Sequence, residues 1–294
     1  MKKVSILLFA LVVGAGTLMA QDDNGYCGKE EGGGENIEWT FFEKSSSSTP
    51  SWLSLHGSGE MKDFTSSECP WKHLRGLIEK VYVDEEIDNI GSYAFYNCSE
   101  LYEAQLYASS SWLEKIGQFA FNLCSKLTSI EIPNSVNEIG NGAFKDCSAL
   151  TSVTLPTSLT TIKVNVFNGC SSLTTISIPA RVNYIRDNAF LGCTGLTSIT
   201  CKATTPPTCG TDCFGNVPKS IPVYVPYGTA EAYRNAYGWN SFTNIVEMAD
   251  PAAALEGVES IQPSAVSSQK ILRNGQLFIK ENGELYNANG ARVK

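Results

Sequence analysis

Two histidines, ten cysteines and one short carboxylate run carry nearly all the reactive chemistry that this 294-residue sequence could offer. Nucleophilic catalysis needs a base within hydrogen-bond reach of the nucleophile. His56 and His73 are the only histidines, and Ser54 or Cys69 could be proposed as their partner. No nucleophile elbow or Cys-His signature surrounds either, so all four read as polar residues of a terminal cap. Asp84, Glu85 and Glu86 follow one another on a turn, whereas a glycosidase needs two carboxyls facing each other across a cleft; these three read as solvated. Cys201, Cys209 and Cys213 invite a zinc reading. Structural zinc takes four ligands at short paired spacing, and no histidine lies near. Gly32, Gly33 and Gly34 lack the lysine and the strand-to-helix setting of a phosphate loop. No catalytic residue, metal or cofactor is expected.

Five other cysteines point to what positions them. Cys147, Cys170 and Cys193 recur in steps of 23 residues, and so do Phe144, Phe167 and Phe190, Leu127, Leu150, Leu173 and Leu196, and Pro133, Pro156 and Pro179. A repeat of this length is a solenoid coil. One coil could not fold alone: apolar side chains such as Leu155, Ile162 and Phe167 gain roughly 1.5–3 kcal/mol each on burial, while ordering the chain costs on the order of 1–2 kcal/mol per residue. Stacked coils share a continuous core, and stability becomes a sum over neighbours. Short alternating runs such as 151–155 and 174–178 read as strands, each stopped by the proline behind it.

The wording L-x-x-I-x-I-P followed by I-G-x-x-A-F-x-x-C-x-x-L resembles the leucine-rich repeat of the BspA-like family, a secreted and surface type common in Bacteroidetes. Ile90-Gly91, Ala94-Phe95 and Cys98 open one more copy, and Ile116-Gly117, Ala120-Phe121 and Cys124 the next. The step between those two is 26 residues, so a bulged loop is expected around 108–112. The predicted fold is a leucine-rich repeat solenoid at 77–226, with short β-strands in each coil. Residues 21–76 supply a flexible lead-in and an N-terminal β cap, where Gly59, Met61, Asp63, Phe64, Pro70 and Trp71 resemble the family's cap. Residues 227–249 supply a helical closing segment, with Thr229 as N-cap and Trp239, Phe242 and Ile245 closing the core. The first full strand is expected at 77–83.

In the column Cys98, Cys124, Cys147, Cys170 and Cys193, side chains should stack roughly 4.8 Å apart, whereas a disulfide wants Cβ atoms about 3.8 Å apart. Buried thiols are the favoured reading. They resemble the Asn or Cys position of other leucine-rich repeats, which serves backbone groups at the turn. A Cys27–Cys69 bridge could staple the cap, and two of Cys201, Cys209 and Cys213 could pair and leave one thiol over.

The ends bear on location. Residues 1–20 pair Lys2 and Lys3 with an apolar run and a small-residue end at Ala20, which reads as a signal peptide. Its removal takes the net charge from −8 to about −10, so nothing collects phosphates and nucleic acid is a poor partner. No later stretch is long enough to span a bilayer. Residues 250–268 read as a linker. At 269–294, the Asn-Gly pairs beginning at Asn274, Asn282 and Asn289 read as hairpin turns of a small β-meander. That tail resembles those of proteins exported by the type IX route, although it ends sooner than a full sorting domain, so a sorting role stays open.

Function should therefore lie on the surface. The outward places of the first strands hold Gln105, Glu131, Thr154 and Ser177; those of the second hold Asn89, Lys115, Glu138, Thr161 and Tyr184. These ladders either keep the sheet soluble or present regular hydrogen-bonding groups to a large partner. The resemblance implies cell-surface adhesion to a protein or glycoprotein on a host or microbial surface, and the chain is expected to be a non-catalytic, secreted or cell-surface monomer. A structural or periplasmic scaffold without a host partner is the alternative.

Overall fold

A computed structural model of the chain describes residues 23–29, 36–44, 49–106 and 112–249, and the backbone of four strands beyond 268. The expected leader at 1–20, most of the expected bulge at 108–112, the linker at 250–268 and the Asn-Gly pairs at Asn274, Asn282 and Asn289 lie outside the described residues. The chain divides into two compact units, with the boundary in sequence between Met248 and Ala249.

The first unit is a stack of coils built on short parallel strands. The longer strands run Trp52–Gly59, Lys80–Val83, Glu103–Leu106, Ser129–Glu131 and Ser152–Thr154, then Thr175–Ile178, Ser198–Cys201, Pro222–Val225 and Asn244–Glu247. The shorter strands run Asn89–Ile90, Lys115–Ile116 and Glu138–Ile139, then Thr161–Ile162, Tyr184–Ile185 and Thr208–Cys209. Pairing holds the 23-residue register: Val153 lies beside Ile130, and Ile185 beside Ile162. The prolines turn the chain as expected, Pro133, Pro156 and Pro179 accepting amide bonds from Val136, Leu159 and Val182.

The repeated phenylalanine builds the core. Phe95, Phe121, Phe144, Phe167, Phe190 and Phe214 stack ring on ring with centroids 5.1–5.7 Å apart. A tryptophan closes each end of this spine, Trp71 at 5.9 Å from Phe95 and Trp239 at 5.0 Å from Phe214. An indole N–H in a dry core needs an acceptor. Trp71 Nε1 donates to Ala94 O at 2.7 Å, and Trp239 Nε1 to Pro207 O at 2.9 Å.

Each coil turns through two left-handed residues flanking the phenylalanine. Before it stand Tyr93, Phe119, Gly142, Asn165, Asn188 and Asp212; after it stand Asn97, Leu123, Asp146, Gly169, Gly192 and Asn216. Asparagine, aspartate and glycine tolerate this region, while bulky residues pay a steric cost. Leu123 in this column should therefore be replaceable by asparagine with a gain of up to about 1 kcal/mol, read as a higher urea midpoint; an unchanged or lower midpoint would mean that Leu123 contributes packing worth more than its strain.

The N-terminal cap is a β-sheet of Asn24–Tyr26, Ile37–Phe42 and Trp52–Gly59, antiparallel until Trp52–Gly59 passes in parallel to Lys80–Val83. The first solenoid strand thus begins at Lys80, not Leu77. Leu77 and Ile78 amides instead bond to Leu74 O, closing a turn that leaves Leu77 exposed. At the other end, Thr229 occupies the N-cap position of the helix Ala230–Asn235 without capping it. Its hydroxyl donates back to Pro226 O at 2.6 Å, and the Ala230 amide is taken by the Glu247 carboxylate at 3.0 Å.

A carboxylate thus fastens each end, since Asp63 Oδ1 accepts the Ser92 amide at 2.7 Å. Burial works against the charged form of Asp63, but the Ser92 amide, with Lys115 and Lys29 further off, leaves its pKa below the ordinary 3.8. The Ala230 and Gly228 amides hold Glu247 below its ordinary 4.5. A carboxyl whose folded pKa is depressed stabilises above its unfolded value and loses that contribution as pH falls through the folded value. An Asp63→Asn, Glu247→Gln variant should have a lower urea midpoint than wild type at pH 7, and the gap should close below the ordinary values of 4.5 and 3.8. A gap that stays constant with pH would refute the capping roles.

The second unit holds four antiparallel strands in sequence order, Gln269–Arg273, Gln276–Glu281, Glu284–Asn287 and Arg292–Val293.

Candidate binding surface

The structure does not assemble a catalytic centre from the histidines. His56 Nδ1 faces Asp84 Oδ2 at 3.6 Å and His73 Nε2 faces Asp23 Oδ2 at 3.4 Å. Neither is hydrogen-bonded to a proposed nucleophile among the described residues. Ser54 is buried rather than at the surface, because its strand is flanked on both sides, by Thr40 and by Tyr82. Cys69 is likewise buried, its thiol donating to Ala94 O at 3.3 Å.

All ten cysteines are buried thiols. In the column, Cys124, Cys147, Cys170 and Cys193 each donate S–H to the carbonyl of the preceding coil's Phe95, Phe121, Phe144 and Phe167 at 3.1–3.2 Å. Burial pushes every one of these thiols up, Cys193 to about 12. Cys98 is equally buried and raised. Cys27 and Cys69 are neighbours in the cap, and burial raises both, Cys69 to about 12.

The outward columns divide by what they touch. Gln105, Glu131, Thr154 and Ser177 are exposed, and none of their side chains is hydrogen-bonded or ion-paired among the described residues. Asn89 belongs to the cap instead, exchanging two hydrogen bonds with the Met61 backbone. Glu138 sits between Lys115, at 3.7 Å, and Lys163, at 2.6 Å. The Lys163 bond outweighs burial and, with both ammonium charges, holds the Glu138 carboxyl below its ordinary range. A third set of exposed residues, the threonines that follow the column leucines, ties coil to coil. Thr151, Thr174 and Thr197 hydroxyls each donate to the preceding threonine's carbonyl at 3.0–3.1 Å.

The shorter-strand ladder has one irregular place. Gly91, Gly117, Gly140 and Gly210 follow the core residue of four shorter strands because a Cβ there would strike the preceding coil; at Gly140 it would lie 2.4 Å from the Gln118 nitrogen. In two successive coils the position is Lys163 and Arg186. The ladder opens where this begins. Glu138–Ile139 and Thr161–Ile162 belong to separate sheets, and Lys163 does not make the amide bond to the previous coil that Gly117, Gly140, Arg186 and Gly210 make. An open depression of about 630 Å³ lies along this stretch, lined by Asn141, Thr161, Lys163, Tyr184, Arg186, Asp187 and Thr208 among others.

Its lining combines polar, charged and aromatic side chains. Tyr184 is 41% exposed, with the Arg186 guanidinium over its ring at 4.5 Å. This contact fixes both side chains without using the tyrosine hydroxyl or most of the guanidinium donors. Asp187 Oδ1 accepts the Thr211 amide at 2.7 Å and so belongs partly to the frame. The predicted Thr161 and Tyr184 both line the depression, and Glu138 anchors its Lys163 edge. Gln105, Glu131, Thr154 and Ser177 lie on the longer-strand ladder, in other sheets. Lys163 and Arg186 were missed by reading outward columns alone; the signal was available as the loss of glycine after Ile162 and Ile185.

Among the described residues no group of three or more histidine, cysteine or acidic side chains is arranged to hold a metal ion, and no helix is long and apolar enough to cross a membrane.

Comparison with known proteins places these coils. Six copies of the BspA type leucine rich repeat region match the chain, over residues 75–197 and 114–245. Among solved structures the chain is similar to a leucine-rich repeat protein of T. pallidum, at 23% identity over 63% of this chain and 74% of that one, with a TM-score of 0.42. It is similar also to a leucine-rich repeat protein from Bacteroides ovatus, at 17% identity over 71% and 75%, TM-score 0.36. The pneumococcal vaccine antigen PcpA matches at 13% identity over 73% and 98%, TM-score 0.36. None of the curated proteins matches the chain.

Proposed function

This chain belongs to the BspA type leucine rich repeat family, and from that premise we propose that it is a non-catalytic, secreted or cell-surface binding protein that adheres to a protein or glycoprotein of a host or microbial surface. Solenoids of leucine-rich repeats typically serve as protein-interaction scaffolds. The observation that carries the reading is the Lys163–Tyr184–Arg186 depression, where Lys163 and Arg186 stand in the place that four other coils give to glycine. Tyrosine and arginine held in fixed geometry are the residue types that dominate interface energetics. The leader read at 1–20 supports a place outside the cytoplasm.

Purified full-length chain, applied to immobilised matrix proteins and glycoproteins, should bind at least one of them. A Tyr184→Ala, Arg186→Ala variant should bind it at least tenfold more weakly, as loss of a hot-spot pair does, with an unchanged circular dichroism spectrum. Equal binding by the variant would remove the depression from the reading. Protease shaving of intact producing cells supplies the location: loss of the repeats while a periplasmic control survives supports adhesion. Survival of the repeats until the envelope is opened would favour the scaffold reading, which the threonine bonds between coils also favour, since they give exposed residues a purely structural task.

A further inference from the structure

The last coil departs from the repeat at two core positions at once. Ile139, Ile162 and Ile185 fill one column, and Ala143, Val166 and Ala189 fill the column four residues on; in the next coil the two places hold Cys209 and Cys213. The backbone keeps the register. Cys209 pairs with Ile185, and the Phe190 amide donates to the Cys213 carbonyl at 2.8 Å, as Phe167 does to Ala189. A large residue beside a small one has thus been exchanged for two thiols of intermediate size, and both sulfurs lie against the same point of the chain, Gly238. Gly238, at φ +84°, closes over both. A Cβ at Gly238 would lie 2.7 Å from Cys209 Sγ and 3.5 Å from Cys213 Sγ. Cys201, the third cysteine at this end, has its sulfur 3.2 Å from the Tyr233 hydroxyl.

We propose that Cys209 and Cys213 are a disulfide-forming pair that closes the last coil covalently, with Cys201 left as the thiol. A disulfide forms when a thiolate attacks an existing disulfide, so the oxidant is a small disulfide or the disulfide of a thiol oxidoreductase. One of the two cysteines, as its thiolate, attacks first. Attack expels one thiolate and leaves a mixed disulfide on that cysteine. The other cysteine then gives up its proton, attacks the sulfur of the first and expels the second thiolate. The chain loses two electrons and two protons, and one external disulfide becomes two thiols. Cys213 is only 2% exposed once folded, so the bond forms before the Gly238–Trp239 turn closes over it. Cys124, Cys147, Cys170 and Cys193 serve as an internal control, each held 3.1–3.2 Å from a phenylalanine carbonyl, whereas the Cys209 thiol has only a long contact to Pro207 O at 3.8 Å.

The test is to refold reduced, denatured full-length chain in a reduced and oxidised glutathione mixture, alkylate it under denaturing conditions, and digest it with trypsin. Cys209 and Cys213 fall together in the peptide 203–219, and Cys201 falls with Cys193 in 187–202. The expected result is a 203–219 peptide that is unalkylated and two hydrogens lighter, and that a protease cutting before Asp212 opens into two fragments still joined until reductant is added. Cys193 and Cys201 should be alkylated. The same mapping on chain exported to a bacterial periplasm during expression needs no refolding and should agree. Double alkylation of 203–219 in chain with the native β-rich circular dichroism spectrum would overturn the proposal, as would a cross-link between 187–202 and 203–219.

Discussion

Phe167→Ala should cost about 3–5 kcal/mol, the usual loss when a fully buried phenylalanine is truncated. Phe167 has no exposed surface and stacks on Phe144 at 5.7 Å and Phe190 at 5.4 Å. It sits near the middle of a spine whose only other support along that line is its neighbours, so the cavity cannot collapse without breaking register on both sides. In a stack stabilised by nearest-neighbour interfaces, weakening a central one also uncouples the halves. Urea unfolding of the variant should show a lower first midpoint and a broadened or two-step transition, where wild type shows one. A single transition shifted by less than about 1 kcal/mol would show that the aromatic spine is not what couples the coils.

Gly140→Ala should cost about 2–3 kcal/mol, at the upper end of what overpacking usually does. The added Cβ would lie 2.4 Å from a backbone nitrogen and 2.6 Å from a backbone carbon of the coil below. Backbone atoms cannot rotate out of the way as a side chain would, so the coil must lift and give up ladder bonds, including that of Gly140 N to Ile116 O at 2.8 Å. Lys163→Ala, at the equivalent place one coil on, is the control. It removes a half-buried ion pair with Glu138 and should cost about 1 kcal/mol, because that coil already stands off from the one before. Thermal unfolding of the two variants side by side decides the matter. Equal costs would mean that the opening of the ladder has another origin than the residue in the glycine column.

These two predictions rest on features of different legibility. The phenylalanine column is visible as a 23-residue period, and a period of that length has one economical physical meaning. The glycine column was also visible, since Gly91, Gly117 and Gly140 all follow an isoleucine. What it means was not, because the atom that a Cβ would strike belongs to a residue of the previous coil. Thr229 shows the same limit from the other side. The residue type and position were right for an N-cap, and yet Glu247, 17 residues away, takes the amide. Local preference named a competent candidate; the fold offered the helix a charged one and offered the hydroxyl the Pro226 carbonyl.

The sequence by itself determined the coil, its length, its inward residues and the need for something to close each end, because all of these follow from the repetition of side-chain size and polarity along one chain. Only the tertiary structure decided which outward residues are occupied and which are free. Glu131 and Thr154 stand clear of partners among the described residues, the threonines at 151, 174 and 197 are spent on coil-to-coil bonds, and Tyr184 is braced by Arg186 over an opening in the ladder. That division depends on distances between residues one coil apart, and those distances are set by how closely backbones can approach, which a periodic pattern repeats but does not measure.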